Sequence, residues 1–162
     1  MPTRSTRKRT RKASRRKQAV AIAVQRATQA RGVPAAARLA RWARAAARGT
    51  GDITLRVVGA AEGRRLNRAY RGKDYATNVL TFAYDDTLPL YGDVVICAPV
   101  VEREAREQDK GLLAHYAHLT IHAALHLQGY DHENKRDATK MEARETALML
   151  KLRYPAPYLI SK

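Results

Sequence analysis

The chain has 162 residues, a single cysteine and a formal net charge of +16. That length supports one domain with a buried core, and one cysteine excludes both an internal disulfide and a cysteine-based zinc site. No apolar run reaches the roughly eighteen residues of a membrane span and no apolar leader opens the chain, so a cytoplasmic protein away from the membrane is expected.

Residues 1–18, "MPTRSTRKRTRKASRRKQ", hold nine Lys/Arg and no acid. A surplus of this kind points to a polyanionic partner, usually nucleic acid. The run lacks apolar periodicity and reads as a disordered basic tail, which either grips phosphates without sequence preference or is a bystander. Residues 19–162 then form one domain.

"AVAIAV" (19–24) is a short apolar run bounded by charge and reads as a strand. "GVPAAARLARWARAAARG" carries Pro34 near its start, a glycine after its end, and Leu39, Trp42 and Ala46 at helical spacing. Trp42 reads as a core anchor. "GDITLRVVG" (51–59) alternates and is β-branched, hence a strand. "AAEGRRLNRAYRG" (60–72) is a helix with Leu66, Ala69 and Tyr70 on one side and Arg64, Arg68 and Arg71 on the other. Strands are expected at 77–84 and 92–97, and a helix from Pro99. Cys97 reads as a small buried apolar residue. A long helix should run from about Leu112 to Gln128 and a last one over 136–152, with Ala138, Met141, Leu148 and Leu152 on one stripe. Glu142 and Glu145 on that helix read as solvated. The expected class is α+β, a small mixed sheet packed with about five helices.

All five histidines lie between 115 and 132. His115, His118, His122 and His126 share one quadrant of a helix turning about 100° per residue. His122 and His126, four apart, can hold one ion. Gly129 can adopt the left-handed conformation that ends a helix, so that His132 folds back as a third ligand. The spacing HxxxHxxGxxH is that of zincin-type metal helices, and three imidazoles with an open position describe a catalytic site for one zinc-class ion. His118 is expected behind the ligands or packed, and His115 facing solvent. Asp131 either orients a ligand histidine or caps the turn. A metalloprotease would need Glu after the first histidine as general base; Ala123 stands there, which disfavours a peptide substrate.

"HAALHLQGYDH" (122–132) resembles the signature HGxLHLxGYDH of the YbeY family, bacterial metal-dependent endoribonucleases of ribosomal RNA maturation. "LNRAYRGKDYATNVLTF", "YGDVVIC" and "EARETALMLKLRYPAPY" are similar to further blocks of that family, so the resemblance covers about residues 50 to 158. Two departures are Ala123 in place of Gly, and "TFAY" where the family has Ser-Phe-Pro. The resemblance implies zinc on His122, His126 and His132, and a functional arginine at Arg71, which also ends the basic stripe read from the helix. A guanidinium fork suits phosphate. Arg64, Arg68 and Lys73 become candidate RNA contacts, and Phe82 and Tyr84 are candidate stacking platforms that core packing explains better. The implied function is single-strand-specific, zinc-dependent cleavage of RNA late in ribosome maturation, including the 3′ end of small-subunit (16S) rRNA. The implied partners are ribosomal RNA and the pre-ribosomal small subunit, met by a monomer. A non-catalytic assembly factor with a structural zinc site is the alternative.

Overall fold

The structure is a computed structural model and describes residues 19–84 and 89–158. The tail assigned to residues 1–18 lies outside the described residues. The elements run β1 (Val20–Ala27), α1 (Ala36–Ala46), β2 (Gly51–Val58), α2 (Ala60–Arg71), β3 (Val79–Ala83), β4 (Leu90–Cys97), α3 (Ala98–Glu107), α4 (Leu112–Leu127) and α5 (Lys135–Lys151). The strands form one mixed sheet in the order β1-β2-β4-β3. β1 and β4 flank β2 in parallel, and β3 pairs antiparallel with β4 as an edge strand. This is the expected α+β fold with five helices among the described residues.

Period-two alternation sorts the strand residues between two faces. Ile53, Leu55, Val57, Val94 and Ile96 join the larger core cluster, with Leu39 and Trp42 of α1 and Met141 and Leu148 of α5. Trp42, buried as expected, meets Tyr154 edge-on at 5.9 Å. Val58, Val95, Cys97 and Leu80 belong to a smaller cluster that Val100 of α3 and Leu66 of α2 complete. α4 runs through the larger core with most of its residues buried, which explains why it is apolar nearly all round. Its last turn lies close on the sheet at Gly92, where a β-carbon would come within 2.8 Å of Leu127 and 2.9 Å of the Phe82 carbonyl. No helix among the described residues is long and apolar enough to cross a membrane.

α2 departs from its sequence pattern. That pattern turns Leu66, Ala69 and Tyr70 inward, but the buried residues are Gly63 and Asn67, with Leu66 at the margin and Tyr70 67% exposed. The helix approaches the sheet so closely that a β-carbon on Gly63 would sit 2.9 Å from Cys97 Sγ. Asn67, fully enclosed, donates to the Tyr75 carbonyl at 2.7 Å and pins the loop after the helix. Gly72, at φ 68°, ends α2 directly after Arg71.

Candidate active site

α4 ends in a glycine cap that folds the chain back. Gly129 has φ 94°, its N–H donates to the His126 carbonyl at 3.1 Å, and the Tyr130 N–H donates to the Leu125 carbonyl at 3.2 Å. This pair of bonds is the Schellman motif, which satisfies the last carbonyls of a helix. It brings His132 back towards the helix, with ring centres 5.8 Å from His122 and 6.3 Å from His126. Asp131 accepts from the His132 N–H at 2.6 Å.

These residues line a cleft of about 580 Å³ between α4, the edge strand β3 and the end of α2. His122, His126, Asp131 and His132 line it together with Tyr70 and Arg71. His126, His132 and Arg71 are exposed, so the cleft opens to solvent.

Ring orientation decides what the histidines can offer. The His122 Nδ1–H donates to Glu145 Oε1 at 2.5 Å, and the His126 Nδ1–H donates to the Tyr130 carbonyl at 3.0 Å. Both acceptors lack protons, so Nδ1 is the donor nitrogen of each ring, and the neutral tautomer that fits these bonds keeps its lone pair on Nε2. Ligating histidines are held this way by carboxylates and carbonyls. Neutral imidazole donors at an exposed, incomplete site suit a zinc-class ion with an open position.

Glu145 is wholly buried, against the expectation that it is solvated. It also accepts from the His118 Nε2–H at 2.9 Å and from the Tyr158 hydroxyl. Burial alone would raise its pKa, but the bonds from His118, His122 and Tyr158 outweigh it and hold the carboxyl at about 2. His118, His122 and Glu145 form a cluster that could hold a metal, their ligand atoms lying within 4.8 Å of one another. Their N···O separations of 2.9 and 2.5 Å are those of direct hydrogen bonds. Two donors sharing a four-coordinate ion at about 2.0–2.1 Å stand roughly 3.3 Å apart. In the present arrangement Glu145 therefore works as the anchor behind His122.

The remaining expected residues lie elsewhere. His118 lines an adjoining cavity of about 290 Å³ with His115, Glu104 and Tyr158, and His122 borders both this cavity and the cleft. His115 is 4% exposed, correcting its solvent-facing assignment: its Nε2–H donates to Glu104 Oε1 at 3.0 Å, a partner on α3 that helix spacing cannot reveal. Arg64 is held by Asp74 through two bonds of 2.8 and 2.9 Å. Arg64, Arg68 and Lys73 are all exposed and do not line the cleft.

Residues 12–153 match the family model described as endoribonuclease YbeY. The chain belongs to the YbeY endoribonuclease family. It is 57% identical over 142 residues to the endoribonuclease YbeY of Aromatoleum aromaticum, covering 86% of this chain and 92% of that one. It is 50% identical over 141 residues to that of Nitrosomonas eutropha, covering 87% of this chain and the whole of its relative. It is also similar to the solution structure of TM1509 from Thermotoga maritima, with a TM-score of 0.53 and 26% identity over 80% of this chain and 91% of that one.

Glu145 is the site residue that sequence reading of this YbeY chain misses, although a signal for it exists. Position 145 falls at helical spacing between Met141 and Leu148, inside the stripe that α5 buries. A carboxylate in the middle of an apolar stripe needs a partner, and the histidines of α4 supply it.

Proposed function

We propose that this chain is a single-strand-specific, zinc-dependent endoribonuclease that acts late in ribosome maturation, including at the 3′ end of 16S rRNA. One observation carries the reading: His122, His126, His132 and Arg71 line a single open cleft, with both α4 rings tied back through Nδ1. Zinc held on the three imidazoles would polarise a phosphoryl oxygen and lower the pKa of a bound water to about 7. Arg71 binds the scissile phosphate through its guanidinium fork and offsets charge that grows on the non-bridging oxygens. Glu145 and the Tyr130 carbonyl hold the ligand rings in register, and the Gly129 turn carries His132 into place. Arg68, in the last turn of α2, and Lys73, in the loop beyond it, are exposed and contact flanking phosphates.

A cleft open to solvent along one side admits a single strand. The partners are ribosomal RNA and the pre-ribosomal small subunit, engaged by a cytoplasmic monomer whose first eighteen residues add a phosphate grip. Protein stripped with chelator should lose cleavage of single-stranded oligoribonucleotides and of precursor 16S rRNA, and zinc should restore both. Duplex RNA should resist. Cleavage that persists without metal would overturn the zinc assignment. RNA bound but left uncut by the loaded protein would leave an assembly factor.

A further inference from the structure

Tyr70 is an exposed aromatic side chain held in a fixed place. It is 67% exposed, yet its ring packs edge-on against Phe82 with centres 4.9 Å apart. Tyr70 and Phe82 together line two adjoining depressions, the histidine cleft and a groove of about 490 Å³ on the open face of the sheet. They form the ridge between the two. Arg71, the next residue, stands in the cleft wall beside them. A strand whose phosphate sits at Arg71 and which leaves the cleft on that side must cross this ridge.

Aromatic, aliphatic and polar groups together line the groove beyond. Tyr84, 66% exposed, is the third ring in its lining. Gln25, Thr54, Arg56 and Asp93 line it beside Leu66, Val94 and Val95. Arg56 is already committed to Glu62, at 2.6 and 2.9 Å, and to Gln25 at 3.0 Å. Asp93 accepts from the Tyr84 hydroxyl and, with two oxygens, keeps acceptor capacity. An apolar partner would bury Asp93 and Thr54 without compensation. A nucleobase offers a π-face to the ring and polar edges to Asp93 and Thr54.

We infer that Tyr70, backed by Phe82, is a stacking platform for an unpaired base of the RNA strand next to the phosphate held at Arg71, with the sheet-face groove receiving that base's polar edge. This rests on the proposed cleavage of RNA. The test uses the full zinc-loaded chain and fluorescent single-stranded oligoribonucleotides with a cleavage-resistant linkage at the scissile phosphate. Matched strands carry one abasic nucleotide at successive positions beside it. Tyr70→Ala should weaken the intact strand by about 5- to 150-fold, the range for loss of one stacked base. One abasic position should weaken the wild-type chain by a similar factor, and Tyr70→Ala should then cost nothing further. Tyr70→Phe should recover most of the affinity, because the ring remains. Equal weakening of intact and abasic strands, or of neither, would overturn the platform. So would weaker binding to small-subunit particles with free-strand affinity unchanged, which would mark the ridge as a protein contact. If the wild-type chain neither binds these strands nor cuts the same strands with an ordinary linkage, the endonuclease reading itself fails. If it does both and the cycle shows no coupling, the platform alone fails.

Discussion

Replacing Glu145 with Gln keeps the side-chain size and exchanges one carboxylate oxygen for an amide N–H2. Glu145 accepts three bonds in a place with no solvent, from His118, His122 and Tyr158. The amide oxygen can keep part of that set, but the new donor faces a donor. At least one buried group is left without a partner, at about 1–3 kcal/mol, and the bonds that remain lose their charge assistance, roughly 1 kcal/mol more. The expected loss is about 2–4 kcal/mol, or roughly 5 to 15 °C in Tm for a chain of this size. The His122 ring also loses its anchor, so zinc affinity should fall by about 10- to 100-fold. Thermal unfolding of chelator-treated protein gives the first number and competition against a zinc indicator the second. The folded carboxyl sits at about 2 against an ordinary 4.5. Its contribution is thus complete above the ordinary value and is lost as pH falls through the folded one, so Glu145→Gln should flatten that acid limb. Wild-type Tm and zinc affinity in Glu145→Gln would refute the anchor.

His126→Ala should reduce bound zinc from about one equivalent per chain towards none, measured by metal analysis after dialysis. Arg71→Ala should keep fold and metal but lose RNA cleavage by about 10²-fold or more, with only partial rescue by Arg71→Lys, read from single-turnover kinetics. Burial holds the His115 imidazole below its usual 6.5, and Glu104 offsets this only in part, so stability should fall as pH drops below that value. His115→Asn should remove that step in urea titrations and leave zinc content unchanged. A chain starting at Gln18 should bind RNA with a shallower salt dependence, by up to about 0.7 in log–log slope per lost phosphate contact, at unchanged metal content.

The sequence made some elements easy to read and hid others for specific physical reasons. The strands show because their β-branched residues alternate, and the α4 histidine pair shows because two histidines four apart followed by a helix-stopping glycine form a recognisable pattern. The inward face of α2 misleads because close packing there is achieved by Gly63, whose contribution is an absent side chain, and by Asn67, a polar residue whose amide donates to a carbonyl eight positions on. Tyr70 looks like a core residue by its place on the helix and lies outside for that reason. His115 and Glu145 each depend on a partner in another helix, and no local pattern records a pairing across α3 and α4 or across α4 and α5.

The chain order of these parts bears on synthesis. β3, which forms one wall of the cleft, leaves the ribosome before β4, the strand it pairs with. The histidines follow only after the whole sheet, and the carboxylate that orients His122 comes later still, on the last helix. A nascent chain halted anywhere before residue 145 therefore lacks an assembled centre. Interrupted translation would yield inert fragments rather than a loosely controlled endoribonuclease.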